Sequence, residues 1–502
     1  MSEKQIQITR FDFGMGEEDR DLSNGYFKYL ENMNAGEKAR GLKQVADATA
    51  YAISGTPGGE NDKRILKSIG LTNGNVYALG MDTSTYYGIW KWNGTTWVCN
   101  GATMIAYAGV FNPFFVYYQN YIWFAEGTYI GSYYTVDDTI IDKRISTVAL
   151  KGGVEWQGKL YGWNGTDLYE VDPAGGGGGG TSTVVGPPIP ADQSIVDLIP
   201  YGNLMCILTT GIVRSKMYIW DGVTTTTFYD IVDMGVGTVV GGCLQDGLIT
   251  VIINTLSGKS FRIREYNGAV FNTVAKYGGR KNTSGTINTY VISRTKQSGG
   301  FIYFLGSATR GGSTDTKANV LFRYGKNLAG ERNSLCVYKN LNFASATLTG
   351  LTQTLNDFII LDDANTSPDY VSVFATLQDT TTPTIKEVKT DGTYNDDEGV
   401  IETAIFTGGD SSIEKQLSEM SIQCAPLTAG QSIKLSYKSD ADTSWIEIIT
   451  IDTVGTISYE PVLEADGSNL KTSKEVAFCF ELLGGAELTG FTANYQPLIG
   501  QR

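Results

Sequence analysis

Hydrophobic and polar positions along this chain fall into short apolar runs, rich in aromatic residues, each closed off by turn residues. The stretch Gln157–Gly165 (QGKLYGWNG) is typical: a Gln-Gly turn, a short strand around Leu160 and Tyr161, and a second turn at Asn164-Gly165. Runs of this length between Gly and Asn predict strands rather than helices. Asn-Gly also tolerates the positive φ that a tight hairpin requires. The unit recurs. A Gly or Asn followed by an apolar strand stands at Gly74, Asn120, Gly158, Gly202, Gly247, Gly300 and Asn356, at spacings of 46, 38, 44, 45, 53 and 56 residues. That beat is the length of one four-stranded blade of a β-propeller.

A second signal runs in phase with the first. Most of these strands are followed by another that ends in an aromatic residue, a turn and Gly: Trp92-Asn93-Gly94, Trp220-Asp221-Gly222, Tyr266-Asn267-Gly268 and Tyr324-Gly325. The first blade is expected near Ile65–Ile69, Asn75–Leu79, Gly88–Trp92 and Thr95–Val98. The fifth is expected near Thr238–Gly242, Leu248–Ile253, Ser260–Glu265 and Ala269–Phe271. The sixth is expected near Ile287–Ser293, Phe301–Leu305, Val320–Tyr324 and Leu335–Tyr338. The plainer alternative is a large all-β chain with regular hairpins and no closed ring. Two signals in phase favour the seven-bladed β-propeller.

Beyond about residue 396 the beat breaks. Alternating strands are expected there at Val400–Phe406, Glu419–Ala425, Ser432–Ser439, Trp445–Ile451, Lys474–Leu482 and Glu487–Tyr495, the pattern of a β-sandwich. Residues 1–41 differ again: a short strand (Ile6–Phe13), an acidic loop at Glu17–Asp21, then a mixed segment. The expected organisation is therefore all-β, with an N-terminal arm (1–41), a seven-bladed propeller (42–395) and a sandwich (396–502). Two insertions interrupt the propeller. One is the six-glycine run Gly175–Gly180, read as a slack loop or as an arm that orders against a neighbouring subunit. The other is the polar hairpin loop Ser307–Lys317.

Composition narrows the chemistry. At 502 residues the chain exceeds a comfortable single core. It holds 61 Gly, 29 Tyr and only 12 Pro, the profile of short strands and tight turns. The net charge is −14, and no basic cluster is placed to neutralise a row of phosphates, which argues against sequence-specific nucleic-acid binding. An acidic wall can still line a channel through which DNA slides, because like charge repels its backbone. With no histidine anywhere, a Ser-His-Asp or Cys-His machine is excluded and a typical zinc site is disfavoured. The six cysteines (Cys99, Cys206, Cys243, Cys336, Cys424, Cys479) stand singly in apolar contexts and are expected as reduced thiols. The opening MSEKQIQITRFDFG has no apolar core of a secretory leader, and no run of about 18 apolar residues occurs.

Candidate sites are few. Ser439–Trp445 (SDADTSW) approaches the S-x-D-x-G-x-x-W aspartate box but lacks its glycine, and such boxes stabilise turns. Arg262, Arg264 and Arg280 are the nearest thing to a carboxylate clamp. Asp137-Asp138, Asp362-Asp363 and Asp396-Asp397-Glu398 sit at turn-like positions and are read as solvated loop acids rather than the paired carboxylates of a glycosidase. The loop Asp391–Glu398 has the oxygen density for Ca²⁺ without the spacing of an EF-hand. The glycine run lacks the Lys-Ser/Thr of a P-loop. Trp90, Trp92, Trp97, Trp123, Trp156, Trp163 and Trp220 have faces for stacking on sugars, but strand positions repeated from blade to blade point to core packing. No catalytic, cofactor or metal residue is therefore assigned.

Both ends of the chain carry a resemblance. Leu22, Gly25, Glu31, Asn32, Arg40 and Gly41 look like the opening of tailed-bacteriophage tail and neck structural proteins, with Leu42 where a proline is expected. Glu402-Thr403, Phe406, Gly408, Lys415 and Leu417, followed by Ser439–Trp445 and Gly490–Tyr495, are similar to the C-terminal domain of the same family. The resemblance implies a non-enzymatic virion component of the tail, neck or baseplate (a nozzle, hub or stabilisation protein), assembled in the host cytoplasm. It also implies other virion proteins as partners (portal or adaptor, tail or fibre proteins) and a cyclic homo-oligomer, with no cofactor and no membrane. A carbohydrate-binding, receptor-recognising module of the virion tail is the alternative, and a propeller glycosidase a more distant one.

Overall fold

The computed structural model describes residues 4–11, 14–15, 26–35, 41–45, 48–51, 53–54, 64–71, 75–81, 86–92, 97–99, 105–106, 111–173, 180–278, 289–298, 300–309, 316–326, 333–340, 354–362, 371–378, 384–388, 398–408, 410–439, 442, 444–460 and 472–498. Their regular structure is entirely β. Seven antiparallel meanders follow one another. Sheet one is Arg64–Gly70, Val76–Met81, Tyr86–Trp92 and Trp97–Cys99; sheet two is Phe111–Tyr118, Tyr121–Glu126, Tyr129–Tyr134 and Thr139–Ser146. Sheet three is Gly152–Trp156, Lys159–Asn164, Asp167–Asp172 and Thr181–Val185; sheet four is Gln193–Tyr201, Leu204–Gly211, Ser215–Trp220 and Asp230–Gly235. Sheet five is Thr238–Gln245, Leu248–Asn254, Ser260–Tyr266 and Phe271–Gly278; sheet six is Thr289–Ser298, Phe301–Thr309, Thr316–Lys326 and Asn333–Asn340.

Sheet seven contributes Thr354–Asp362, Val371–Gln378 and Thr384–Val388, and takes its fourth strand from far upstream. Ala48–Tyr51 pairs antiparallel with Thr384–Val388. The first strands of successive sheets pack side by side from sheet one to sheet seven, and the first strand of sheet seven packs beside that of sheet one. The meanders therefore stand in a closed circle, with their first strands innermost.

The turns that carry the sequence repeat explain why these residues form hairpins. Gln119-Asn120, Gln157-Gly158 and Asp246-Gly247 all have positive φ at both positions (51° and 65°, 52° and 70°, 48° and 80°). Two such residues make the primed turn whose twist matches that of the flanking strands. Five of the seven repeat positions, Asn120, Gly158, Gly202, Gly247 and Gly300, stand at positive φ between the first and second strands, and Gly74 lies outside the described residues. The seventh does not: Asn356 lies inside the first strand of sheet seven, where it is the extra residue of a β-bulge. An Asn before an apolar run looks alike in the two settings.

The core lies between neighbouring sheets rather than at the axis. Tyr77, Leu79 and Ile89 of sheet one pack against Phe115, Ile122, Phe124 and Tyr133 of sheet two. Trp156, Tyr161 and Trp163 of sheet three pack with Met205, Tyr218 and Trp220 of sheet four. Each such large side chain contributes about 1.5–3 kcal/mol when fully buried. Trp90, Trp123, Trp156, Trp163 and Trp220 are all buried, so their faces belong to the core.

Beyond sheet seven the chain builds two face-to-face layers. One holds Gly399–Glu402, Val476–Leu483, Ser432–Ser439 and Ile446–Ile451; the other holds Lys415–Cys424 and Glu487–Pro497. Phe491 of the second layer meets Phe478 and Phe480 of the first at ring-centroid distances of 4.7 and 5.0 Å. The six strands expected from alternation in this region are present, with ends shifted by a few residues.

The N-terminal segment, expected from the sequence as an arm, is threaded through its own chain wherever it is described. Lys4–Ile8 pairs with Phe491–Tyr495, and Met33–Asn34 and Leu42–Gln44 extend the same layer. Tyr29–Glu31 lies between the last strand of sheet six and Gly399–Glu402. Sheet six thus continues without a break into the first C-terminal layer as one sheet of eleven strands. Strands of two to five residues are too short to show a period-2 pattern, which is why the threading is invisible in the sequence.

Candidate functional site: an axial belt of charged residues

In five of the sheets the first strand carries one residue more than its partner across the ladder: Leu66, Val196, Val240, Ser293 and Asn356. Such a bulge bends the strand and re-aims the side chain that follows. Those following residues are Lys67, Asp197, Gly241, Arg294 and Asp357. Because the first strands are innermost, these positions form a belt around the axis of the circle.

Asp357 joins the last sheet to both of its neighbours. Its Oδ2 accepts from the Ser68 N–H at 2.8 Å and the Ser68 hydroxyl at 3.1 Å, on sheet one. It also pairs with the Lys296 ammonium of sheet six at 3.0 Å. Lys296 donates in addition to the Ser68 carbonyl at 3.2 Å. The Asp357 side chain is fully buried. Burial by itself raises its carboxyl, but Lys296 and Lys67 outweigh that and hold it below the usual carboxylate range. Burial pushes the Lys296 ammonium down to about 8 against the pull of Asp357. At neutral pH both groups are charged and the pair is intact.

Asp197 repeats half of this device between sheets four and five. Its Oδ2 accepts the Gly242 N–H at 3.2 Å, and its Oδ1 that of Leu198 at 3.0 Å. Glycine at 241 permits the approach: a Cβ there would lie 2.4 Å from Thr295 Oγ1 and 3.2 Å from Asp197 Oδ2. Asp197 makes no ion pair among the described residues. Burial pushes its carboxyl up to about 6, with the two backbone N–H groups and Lys67 pulling the other way.

The sign of the pH dependence follows. A carboxyl raised on folding contributes stability below its unfolded value near 4, and that contribution is lost as pH rises through 6. Above pH 6 the ionised form costs roughly 1–3 kcal/mol, allowing for residual solvent contact. Asp197→Asn keeps an acceptor for Gly242 without the charge. Thermal unfolding is expected to place the variant a few degrees above the parent at pH 7.5, with the two curves merging below pH 4. A variant less stable at every pH would show that the carboxylate itself is required.

The hairpin tips add a further ring of ties, from the end of one first strand to the tip of the next sheet. Tyr118 Oη donates to the Gly158 carbonyl at 2.5 Å, Trp156 Nε1 to that of Gly202 at 3.2 Å, and Gln245 Nε2 to that of Gly300 at 2.8 Å. Deeper in, Asn254 forms a two-way pair with the backbone of Ile292, at 2.7 and 3.0 Å.

Residues singled out in the sequence go elsewhere. Arg264 donates to the carbonyls of Met234 and Phe271, which ties sheet four to sheet five. Arg262 lies on the same strand and Arg280 falls outside the described residues; among the described residues no carboxylate clamp is assembled. Asp137 accepts from Thr139 at 2.6 Å and Asp138 from Tyr133 Oη at 2.5 Å, both within a hairpin turn. In the degenerate aspartate box, Asp442 accepts the Ser439 hydroxyl at 2.5 Å and its N–H at 2.9 Å, a turn-stabilising role. Of the Asp391–Glu398 loop only Glu398 is described, and Asp363, Asp396 and Asp397 also lie outside. No cluster of potential metal ligands occurs among the described residues. Cys206, Cys336, Cys424 and Cys479 are buried and form no disulfide among the described residues, and burial pushes the Cys206 thiol up to about 12. The axial belt has one local signal in the sequence: Asp197-Leu198-Ile199 and Asp357-Phe358-Ile359 share a pattern that aligns the two latches.

No protein-family model matches the chain, and no curated protein matches it. Among solved structures, the WD40 domain of Toxoplasma gondii coronin is 11% identical with a TM-score of 0.43, over 72% of this chain and 87% of that one. The Dos1 propeller is 8% identical with a TM-score of 0.43, over 73% and 95%. An exo-β-1,3-galactanase from Phanerochaete chrysosporium is 10% identical with a TM-score of 0.31, over 90% and 100%. Likenesses this distant say nothing about activity.

Proposed function

We propose that the chain is a non-enzymatic structural protein, a seven-bladed β-propeller joined to a β-sandwich, serving in the tail or neck of a tailed-bacteriophage virion. One observation carries this reading: the described residues of the two phage-like end motifs meet where the ring, the N-terminal strands and the C-terminal layers are joined. Glu31 pairs across the ladder with Val400, and Tyr29 with Glu402. Asn32, at a φ of 53°, turns the chain and donates to the Glu398 carbonyl at 2.9 Å. Gly41 lies against the Glu487 side chain, where a Cβ would meet the carboxylate. Thr403 Oγ1 accepts the Phe478 N–H at 2.9 Å. Lys415 donates to the carbonyls of Asp410, Ile413 and Lys474 at 2.7, 2.8 and 2.9 Å.

These residues organise a junction between the ring and the C-terminal layers. At the axis, Asp357 and Lys296 likewise satisfy one another across a sheet boundary. Work is then done by surfaces, on other virion proteins and on further copies of this chain in a cyclic ring. Mass photometry and negative-stain imaging of the purified chain test it. A closed ring of about six or twelve subunits is the expected result. A monodisperse monomer at high concentration that also binds no other virion protein would overturn the proposal.

A further inference from the structure

The latches leave part of the axial belt uncompensated. Lys67 and Arg294 occupy the post-bulge positions of the innermost strands of sheets one and six, on either side of sheet seven. Neither makes an ion pair among the described residues, and Arg294 donates only to the neighbouring Ser293 carbonyl, at 3.1 Å. Lys296, two residues from Arg294, keeps 24% of its side chain exposed beyond its bond to Asp357. The three cations are close enough that Lys67 and Arg294 both weigh against protonation of Lys296, and Lys67 is also felt by Asp197.

Two carboxylates face this group. Asp357 directs Oδ2 to Ser68 and Lys296, and Asp197 is held by the backbone N–H groups of Gly242 and Leu198. Three cations against two carboxylates, in a chain of net charge −14, is a local reversal of sign. Like charges gathered together repel, and their persistence marks a site built to receive the opposite charge. The pattern lies at the axis and is independent of the end motifs behind the virion reading. We propose that this part of the axial belt binds a small dianion of the phosphate class, bridged by Lys67, Arg294 and Lys296.

Equilibrium dialysis of the full chain against radiolabelled inorganic phosphate, at constant ionic strength set by chloride, tests the site. Saturable binding of one phosphate per chain is expected, with a Kd at or below about 1 mM. Arg294→Gln changes an exposed side chain and leaves the latches in place; it is expected to weaken binding by about tenfold. Lys67→Met combined with it is expected to abolish binding. Chloride-matched thermal unfolding provides the second readout, with phosphate raising the transition of the parent and not that of the double variant. Absence of saturable binding in the parent, or equal binding by the parent and Arg294→Gln, would overturn the site.

Discussion

Replacing Asp357 with alanine is expected to cost about 3–5 kcal/mol, because it removes one partner of a buried ion pair and strands the other. Three groups lose an acceptor at once: the Ser68 N–H, the Ser68 hydroxyl and the Lys296 ammonium, which keeps only the Ser68 carbonyl. All three converge where sheet seven closes on sheets one and six, so the damage falls on closure of the ring. Denaturant midpoints and hydrogen exchange at the Ser68 amide provide the measurement. Exchange at Ser68 is expected to rise with the loss of stability, ahead of amides in sheets three and four. The double variant Asp357→Leu with Lys296→Met is expected to recover much of the loss, since an apolar pair carries no desolvation cost. A carboxyl held low in the folded state contributes stability above its unfolded value near 4, which is lost as pH falls through the folded value. The gap between parent and Asp357→Ala should therefore narrow in strong acid. A loss below about 1 kcal/mol at neutral pH would place the pair among surface-type bridges.

This belt shows what a single sequence reveals and what it conceals. Local rules read well. The Gln-Gly and Asp-Gly turns of sheets three and five specify their hairpins through backbone sterics, and the alternation of Ser432–Ser439 fixes that strand to the residue. Contacts that depend on closing a circle do not read. Lys296 and Asp357 are 61 residues apart, and Ser68 and Asp357 are 289 apart. Nothing local distinguishes them from solvated loop residues until the first strands are known to be innermost. The same holds for the strand Ala48–Tyr51, whose pairing with Thr384–Val388 joins the two ends of the ring. The Asn356 misreading has a related cause, since a bulge and a turn ask for the same residue.

The second large effect is expected at Arg323, where ring and C-terminal layers are tied together. Its side chain is 1% exposed and lies between two rings, 4.3 Å from the centroid of Phe301 and 4.9 Å from that of Tyr338. Its guanidinium also donates to the carbonyl of Ala35, in the N-terminal segment that enters the C-terminal layer. Arg323→Ala removes two cation–π contacts, each worth about 0.5–2 kcal/mol, and a charge-assisted hydrogen bond. It also opens a cavity, so a total loss of about 3–5 kcal/mol is expected. Arg323→Lys separates charge from shape. Lysine keeps the charge but lacks the planar fork that stacks on both rings while reaching Ala35, so most of the loss should persist. Calorimetry shows where the energy goes. The parent is expected to melt with the ring and C-terminal layers coupled through the eleven-stranded sheet, and Arg323→Ala to divide the endotherm in two. If the lysine variant melts with the parent, charge alone holds the joint; if alanine leaves a single unshifted transition, the continuous sheet is sufficient without this side chain.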